Sequence, residues 1–294
     1  MHSGFLNINK PRGFTSHDVV NKVRRIFGTK SVGHMGTLDP QASGVLPLAL
    51  GKATRLIAFV EGSTKEYVGE LVLGLATDTL DLQGEVLVTS DASHITIDAI
   101  CAALPYFVGR QSQVPPMYSA IKIGGKKLYE YARAGVPVDV EPRQVVISAL
   151  ELDSVFLEGT RQVATLRISC GKGTYIRSLC RDIGVWLGVP ACMGELTRTA
   201  SGPFHIEHSV TLEKLSENPA QHVIGIAEML KGNACVALDQ RQAARFLQGQ
   251  RIIIAEELVG ECSVFCGTMF LGIGDIAQQV LSPKKVVAQE GDIL

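Results

Sequence analysis

The clustering of strand-like segments limits the fold of this chain more than any other feature of the sequence. Strand patterns occupy residues 4–9, 66–75, 85–89, 143–156 and 161–170, and long helical patterns are fewer. Strands that follow one another, instead of alternating with helices, favour antiparallel pairing. The sequence therefore predicts an α+β fold with a mixed, mainly antiparallel sheet, and not a doubly wound parallel one.

The segments around residue 80 predict one specific pairing. A polar loop at 77–84 separates the strand at 66–75 from the strand at 85–89. Because such a loop can reverse the direction of the chain, we expect the two strands to form a long hairpin.

Helices are predicted where the apolar spacing changes to that of an α-helix. The first follows a turn at 10–13, and its Thr15 and Asp18 have the spacing of a capping box. Its apolar stripe should face the core, while its basic face points to solvent or to an anionic partner. The stripe is Val19, Val23, Ile26 and Phe27, the basic face is Lys22, Arg24 and Arg25, and further helices are predicted at 96–107, 126–134, 175–187 and 239–248.

Length and composition set the number of domains. The 294 residues, 46% of them hydrophobic, suffice for one large buried core and a second small one. After residue 230 and a short helix, the sequence consists of short Val-, Ile- and Phe-rich segments separated by Gly. We therefore predict two domains, residues 1–231 and 232–294. Because the formal net charge is only -1, any surface that binds a polyanion must be local.

Several classes of protein are excluded by the same sequence. The apolar runs are broken well before the ~20 residues that a membrane span requires, and residues 1–8 do not resemble a secretory signal. We therefore expect a cytoplasmic protein. The seven cysteines are scattered and odd in number, so we expect neither disulfides nor a zinc site. The acidic loop at 78–85 lacks the EF-hand pattern, and residues 171–174 lack the spacing of a phosphate-binding loop.

One segment, residues 33–47, combines three glycines, two prolines and a single carboxylate, Asp39. Gly33 and Gly36 allow backbone conformations that are closed to other residues. Asp39 and Pro40 can place a carboxylate at the start of a helical turn. From these residues alone, Asp39 is either a helix N-cap or a functional carboxylate.

The whole segment closely resembles the signature of the bacterial transfer-RNA pseudouridine-55 synthases, the TruB family. The resemblance continues in order and spacing from residue 9 to about residue 215. Residues 234–294 resemble, more loosely, the small β-rich PUA-like RNA-binding domain that ends many of these enzymes. The matching motifs are 9–13, 33–47 with 51–55, 65–67, 74–84, 116–120, 125–133 and 172–179, followed by 248–251, 270–274 and 281–287.

This resemblance implies an enzyme that detaches uracil from C1′ of the ribose, turns it and rejoins it through C5. It implies Asp39 as the nucleophile and Arg177 as the cation that keeps Asp39 ionised. Tyr67 would stack on the target uracil and could serve in deprotonation at C2′, His34 would fill the space that the flipped nucleotide vacates, and Leu196 would line the uracil pocket. Because the reaction is an internal transfer with no net redox change, no cofactor or metal is expected.

Basic residues near Gly or Pro turns are candidates for contacts with RNA phosphates. In the C-terminal domain, acidic residues at 256, 257 and 261 predict a modest, one-sided RNA contact near the acceptor stem, made by Arg251, Lys284 and Lys285. The candidates in the first domain are Lys10, Arg12, Lys22, Lys65, Lys126, Lys127, Lys172 and Arg198.

The resemblance leaves three functions to compare. The first is isomerisation of a uridine in the T-arm of transfer RNA, and the second is a transfer-RNA folding chaperone that binds the same arm without catalysis. A third is a synthase that works within a guide-RNA particle, against which the absence of long basic extensions speaks. Asp39, Tyr67 and Arg177 together favour the enzyme, because binding alone needs no aligned nucleophile. We expect a monomer.

Overall fold

The computed structural model describes residues 2–62, 64–232, 234–255 and 257–288. In these residues a large mixed sheet with packed helices is followed by a separate β-rich C-terminal unit, so the predicted α+β fold is confirmed. The strands of the N-terminal part are β1 (Gly4–Lys10), β2 (Val32–His34), β3 (Ser43–Leu50), β4 (Thr64–Leu73), β5 (Leu75–Thr77), β6 (Val86–Thr89), β7 (Gly109–Gln113), β8 (Lys122–Ile123), β9 (Lys126–Lys127), β10 (Arg143–Glu158), β11 (Arg161–Gly171), β12 (Ala191–Ser201) and β13 (Phe204–His205).

The helices of the N-terminal part cover the sheet or its edges. The α-helices are α1 (Ser16–Phe27), α2 (Ile57–Val60), α3 (Ile97–Ala103), α4 (Leu128–Arg133), α5 (Ile176–Leu187), α6 (Leu212–Glu217) and α7 (Ile226–Met229), with short 3₁₀ helices at Gly51–Leu56, Leu104–Phe107, Ile206–His208 and Pro219–His222.

The large sheet has the order β1-β3-β12-β4-β11-β10-β7, with β2 added to β3 and β13 added to β12. Its pairs are antiparallel except that β3 and β12 run parallel over a short stretch, where Thr197 faces Ser43 and Arg198 faces Gly44. The long strands β4, β11 and β12 lie side by side at the centre. This arrangement brings β4 and β12, which carry Tyr67 and Leu196, next to each other.

The predicted long hairpin over residues 66–89 is wrong. Gly74 has φ +96°, and a Cβ atom there would lie 2.8 Å from the carbonyl oxygen of Ser90. The chain therefore turns at this glycine, β4 ends, and only β5 pairs with β6. Because β4 does not pair with β6, one of its edges pairs with β11 and the other with β12. These long neighbours bury much more of β4 than a hairpin with β6 would.

The first helix begins as predicted. The hydroxyl of Thr15 accepts a hydrogen bond from the backbone N–H of Asp18, and the carboxylate of Asp18 accepts one from the N–H of Thr15. The helix buries Val19 and Val23 and exposes Lys22 and Arg25. Arg24 does not belong to the exposed basic face, because its guanidinium is half-buried and donates to the carbonyl of Val32.

The remaining predicted helices are present but shorter than predicted. The helix predicted at 96–107 is capped by Thr96, as α3, and continues as a 3₁₀ turn from Leu104 because Pro105 cannot donate the next helical hydrogen bond. The helix predicted at 175–187 is α5, which ends at the left-handed Gly188. Since α5 begins at Ile176, Arg177 lies in its first turn.

The C-terminal unit has its own sheet and core. Its sheet has the order β14-β16-β17-β18-β15, and its core includes Val236, Phe246, Val264 and Leu271. Ile273 and Val287 pack on a cluster of the first unit, so the two units share an apolar contact. The boundary predicted at 231/232 stays a prediction. The elements are β14 (Cys235–Ala237), α8 (Gln240–Leu247), β15 (Ile252–Ile253), β16 (Gly260–Cys266), β17 (Met269–Ala277) and β18 (Val280–Val286).

Within the described ranges no helix is long and apolar enough to cross a membrane. All seven cysteines are free thiols, and Cys170, Cys180, Cys192 and Cys262 are buried. The described residues contain no group of three or more His, Cys, Asp or Glu side chains that could hold a metal ion.

Candidate active site

A cleft of about 540 Å³ lies where the β2–β3 connection faces β4, β12 and the start of α5. Asp39, Tyr67 and Arg177, the three predicted catalytic residues, all line it. His34 and Leu196 line the same cleft. Residues that are far apart in the sequence thus meet at one site.

The β2–β3 connection holds Asp39 through its backbone. The Ser16 hydroxyl accepts from Leu38 N and donates to Leu38 O, both at 2.9 Å. Pro40 O accepts from Gly13 N at 2.8 Å. These bonds fix the peptide groups on both sides of Asp39.

The same connection excludes the interpretation of Asp39 as a helix N-cap. Ala42 N donates to Asp39 O at 3.1 Å, which closes a single turn that leads directly into β3. Gly36 has φ +87°, and a Cβ there would lie 2.9 Å from Lys65 Nζ, so glycine is required at this position as predicted. Gly33 has an ordinary φ, and a side chain there would meet Ile57 instead.

The Asp39 carboxylate pairs with a buried cation. Arg177 Nη2 lies 2.8 Å from Asp39 Oδ2, and the Arg177 side chain is only 6% exposed against 37% for Asp39. The guanidinium also donates to the carbonyls of Thr79 and Tyr118, each at 3.0 Å, and lies 3.8 Å from Asp81 Oδ2. A cation held by so many acceptors keeps its place, while part of the Asp39 carboxylate stays open to the cleft.

Tyr67 forms the floor of the cleft. Residues directly opposite in an antiparallel pair point to the same face, and Tyr67 stands opposite Ile168 of β11 and Arg198 of β12. It is buried, and this burial raises the pKa of its hydroxyl, whereas the positive charge of Arg198 acts in the other direction. The hydroxyl is therefore protonated at neutral pH.

Leu196 supplies an apolar wall next to Tyr67. It stands opposite Gly69, where a Cβ would lie 2.7 Å from Leu196 Cδ1. Glycine at 69 therefore makes the room that lets Leu196 reach the cleft. Together with Tyr67 and Ile176 it gives the site a flat, apolar region that is suited to a nucleobase.

His34, the last residue of β2, is half-buried at the mouth of the cleft. Burial lowers the pKa of its imidazole, so the ring is neutral at physiological pH. Its Nδ1 has no hydrogen-bond partner in the described part of the chain. A neutral aromatic ring at this position can stack on a base or fill space.

Comparison with protein families gives a match for nearly the whole chain. The "TruB family pseudouridylate synthase (N terminal domain)" model matches residues 24–176, and the "tRNA pseudouridylate synthase B C-terminal domain" model matches residues 177–231. The "Pseudouridine synthase II TruB, C-terminal" model matches residues 234–287. The chain belongs to the TruB family of pseudouridylate synthases. The predicted family and the predicted isomerase class are confirmed.

Curated relatives within the TruB family match over most of the chain. The tRNA pseudouridine synthase B of Symbiobacterium thermophilum is 49% identical over 246 residues, which are 84% of this chain and 82% of the relative. That of Synechococcus elongatus is 40% identical over 290 residues, 97% of this chain and 98% of the relative. Among solved structures, a chain in a Cbf5-Nop10-Gar1 complex matches with TM-score 0.72 and 26% identity, covering 99% of this chain and 86% of that chain.

Two residues predicted to bind phosphates in this TruB family chain lie in its interior instead. Lys10 and Arg198 are both 0% exposed. Lys10 Nζ donates to the carbonyls of Pro11, Phe14 and Pro40, and burial lowers the pKa of its ammonium to about 8. The prediction for these two residues is therefore wrong.

The error has a physical reason. Proximity to Gly or Pro turns suggested that both side chains reach the surface, but in a strand the side chains alternate between the two faces. Lys10 follows Leu6 and Ile8 on the buried face of β1, and Arg198 follows Leu196 on β12. Period-two spacing from these apolar neighbours was the signal that sequence reasoning missed.

The other predicted phosphate contacts divide between the cleft and the surface. Lys65 is buried in the cleft with its Nζ 4.0 Å from Glu61, and burial lowers its pKa. Lys127 is half-buried at the cleft edge. The remaining four are exposed at the surface, namely Arg12, Lys22, Lys126 and Lys172. Of these, Arg12 pairs with Glu195.

The structure adds residues to the site that had no predicted role. Ser16 holds the connection that carries Asp39, and Asp81 lies beside Arg177. Tyr118 lines the cleft and donates its hydroxyl to Asp78 at 3.0 Å, and Tyr175 lines it at the start of α5. Tyr118, Tyr175 and Asp81 all lie within the family motifs of the sequence, but Ser16 lies outside them.

Proposed function

We propose that this chain converts the uridine at position 55, in the T-arm of transfer RNA, to pseudouridine, with Asp39 as the nucleophile. The proposal rests above all on the Asp39–Arg177 pair, which stands in a cleft beside a flat apolar floor. It is supported by relatives that are named tRNA pseudouridine synthase B and are 40–49% identical over most of the chain.

The chemistry asks for one ionised carboxylate. The N1–C1′ bond breaks, the uracil turns within the site, and a C5–C1′ bond forms, while C5 loses a proton and N1 gains one. Asp39 either attacks C1′ or promotes departure of the base through a glycal, and both routes require its anionic form. The Arg177 guanidinium, at 2.8 Å, is the counter-charge of that carboxylate. Water attack, which a glycoside hydrolase promotes with a second carboxylate, is not needed.

The neighbouring residues hold the flipped nucleotide. Tyr67 and Leu196 offer the uracil an apolar floor and wall, which offsets the few kcal/mol that are lost when a base leaves its stack. On the glycal route Tyr67, which lines the same cleft as Asp39, serves in deprotonation at C2′. This step needs the ionised phenol, a form that the positive charge of Arg198 favours against the effect of burial. His34, at the mouth, fills the vacated place in the RNA loop.

The RNA is bound by local groups of cations, since the chain as a whole is nearly neutral. Lys127 at the cleft edge and the exposed Arg12, Lys126 and Lys172 contact phosphates around the target nucleotide. In the C-terminal unit the exposed Arg251, Lys284 and Lys285 contact the acceptor stem. Lys284 is paired with Glu261, which keeps this contact modest, while the predicted acidic neighbour at 256 lies outside the described residues.

The protein acts as a monomer in the cytoplasm, without metal or cofactor.

The test is the pseudouridine content of an unmodified transfer RNA after incubation with the parent, with Asp39→Asn and with Asp139→Asn as an exposed control. We expect product at position 55 with the parent and with the control, no product with Asp39→Asn, and none when position 55 carries cytidine. Equal RNA affinity of all three proteins shows that only chemistry is lost. Product from Asp39→Asn, or product at another uridine only, would contradict the proposal. RNA refolding by Asp39→Asn at the parent's rate would add the chaperone function.

A further inference from the structure

Arg198 is the largest fully buried side chain in the described part of the molecule. Burying a guanidinium is costly unless acceptors surround it. Its Nε donates to Val45 O at 2.7 Å and its Nη1 to Thr37 O at 3.2 Å, while Nη2 has no partner among the described residues. A buried cation with this geometry, away from solvent, cannot be a phosphate contact.

The two carbonyls that Arg198 binds lie on either side of Asp39. Thr37 precedes Asp39 by two residues, and Val45 follows it at the start of β3. One side chain therefore joins both ends of the connection that carries the carboxylate. The backbone of β12 also approaches the start of β3 closely, since a Cβ on Gly44 would lie 2.3 Å from Arg198 O. Glycine at 44 is what allows this approach.

The guanidinium charge also faces the floor of the cleft. Arg198 stands opposite Tyr67, and its charge lowers the pKa of the Tyr67 hydroxyl against the rise that burial causes. Besides Tyr67, the titratable groups that feel this charge come from each neighbouring strand. They are Lys10 of β1, His34 of β2, Lys65 of β4 and Cys170 of β11.

We infer that Arg198 is a positioning residue, which fixes the Asp39 connection at Thr37 and Val45 and places a positive charge against Tyr67. This inference rests on the proposed role of Asp39. A displaced nucleophile reacts slowly even when the RNA still binds, because a misplacement of about 1 Å can reduce a rate by about 100-fold. Arg198 thus acts on the chemical step through Asp39 and Tyr67 without touching the RNA.

The first experiment separates chemistry from binding. Single-turnover rates and RNA dissociation constants are measured for the parent, Arg198→Met and Arg198→Lys over a range of salt concentrations. We expect the rate to fall about 100-fold in Arg198→Met and about tenfold in Arg198→Lys, which keeps the charge and one carbonyl contact. The dissociation constant and its salt dependence should not change. A weaker dissociation constant with a smaller salt slope and an unchanged rate would assign Arg198 to a phosphate contact and overturn the inference.

A matched control guards against loss of stability. Cys192 lies on the same strand, is 0% exposed and belongs to a separate apolar cluster, so Cys192→Ala also destabilises the sheet. We expect Cys192→Ala to react at the parent rate at temperatures where both variants are folded. An equal loss of rate in both variants at equal melting temperature would reduce Arg198 to a structural residue.

The second readout follows the charge on Tyr67. The alkaline titration of Tyr67 is obtained from the near-ultraviolet absorbance of each protein minus that of its Tyr67→Phe counterpart. We expect the Tyr67 transition to move to higher pH in Arg198→Met and to return towards the parent's in Arg198→Lys. No movement would remove the electrostatic part of the inference. Because this titration needs no RNA, it stands even if the parent forms no pseudouridine, so failure of the proposed function is recognised separately.

Discussion

The two walls of the cleft are held in place in very different ways. The wall that carries Asp39 is fixed by side chains from elsewhere in the fold: Arg198 binds Thr37, Ser16 binds Leu38 and Lys10 binds Pro40. The opposite wall carries Tyr118 and Tyr129 and continues through residues 120–144, in which Leu128 is the one buried residue. Residues 122–127 form a two-stranded hairpin of their own, apart from the large sheet.

This difference separates two tasks that one cleft must combine. In the proposed reaction, charge development at C1′ is best served by a nucleophile whose surroundings do not move. Capture of a folded RNA is best served by a segment that can adjust, since segments with few buried contacts open at little cost in free energy. Lys126, Lys127, Tyr129 and Arg133 belong to this second wall, and Lys127 and Arg133 both lie 5.4 Å from the centre of the Tyr129 ring. The comparison predicts rate effects from the first wall and affinity effects from the second.

The largest effect is expected from Arg177→Met, which leaves Asp39 without its cation. Removal of one preorganised group that stabilises charge costs about 100- to 1,000-fold in rate. We expect a single-turnover rate at least 100-fold below that of the parent, with RNA affinity within about twofold. Arg181→Met, one turn later on α5, is the control, because Arg181 pairs with Asp182 outside the cleft. A loss of affinity without loss of rate would contradict the assignment of the Asp39–Arg177 pair to chemistry.

An intermediate effect is expected from pH, through Lys10. Its ammonium, with a pKa of about 8, donates to three carbonyls, but the neutral amine has only two N–H groups. We therefore expect the single-turnover rate to fall several-fold as the pH rises through about 8. This fall in rate should be absent from Lys10→Arg, which does not titrate in this range, even if that variant is slower overall. An identical fall in the rate of Lys10→Arg would assign the pH dependence to another group.

The lowered pKa of Lys10 also affects folding, and there a rise in pH increases the free energy of unfolding. Between about 8 and the ordinary value of 10.5 the unfolded chain holds a proton on Lys10 that the folded chain has released. Burial of Lys10 therefore reduces stability at neutral pH, and this cost disappears as the pH rises through that window. Denaturant unfolding at each pH, compared with Lys10→Met, measures it. If the parent loses activity in this pH range but its free energy of unfolding does not fall relative to that of Lys10→Met, the pH acts on the site and not through unfolding.

The smallest effect is expected on the second wall, from Tyr118→Phe. This change removes the hydrogen bond to Asp78 but keeps the ring that lines the cleft. This hydrogen bond is half-buried, and the net contribution of a typical protein hydrogen bond is about 0.5–1.5 kcal/mol. We expect the dissociation constant for RNA to rise by about three- to tenfold or less, with the single-turnover rate unchanged. Tyr131→Phe, which loses a bond to the Ile123 carbonyl within the hairpin segment, is the matched comparison. A fall in rate with unchanged affinity would show that both walls serve the chemical step.

The sequence predicted most of the fold because its signals are local. The capping box at Thr15, the strand pattern along residues 161–170 and the helical pattern along residues 175–187 all act within a few residues of themselves. The long hairpin failed because the sequence shows the polar loop but not the competing strands. Those partners lie further along the chain: Ile168 of β11 and Arg198 of β12, which both face Tyr67, follow it by 101 and 131 residues. Pairing with them, and the turn at Gly74, are decided by the assembled sheet.

The site residues also fall into two groups, those that sequence motifs identify and those whose position only the folded chain explains. Asp39, Tyr67, Arg177, His34 and Leu196 were named from motifs, and the structure brings all five to one cleft, while their roles stay proposals. Lys10 and Arg198 were misplaced because a charged residue beside a turn is usually at the surface. In the fold, the carbonyls of Thr37 and Val45 accept from Arg198, and that of Pro40 joins two nearer ones in accepting from Lys10. No local pattern in the sequence announces those carbonyls.

The short parallel pairing between β3 and β12 also bears on how the protein is made. It joins Ser43 and Gly44 to Thr197 and Arg198 across more than 150 residues of intervening chain. Contacts of such separation form late, because closing a long loop costs entropy before any contact offsets it. A nascent chain that has left the ribosome only as far as α5 therefore carries Asp39 and Arg177 but lacks β12, whose Arg198 binds both ends of the Asp39 connection. The candidate active site is thus completed by one of the last strands of the large sheet to be synthesised, and an unfinished chain lacks the Arg198 contacts to Thr37 and Val45.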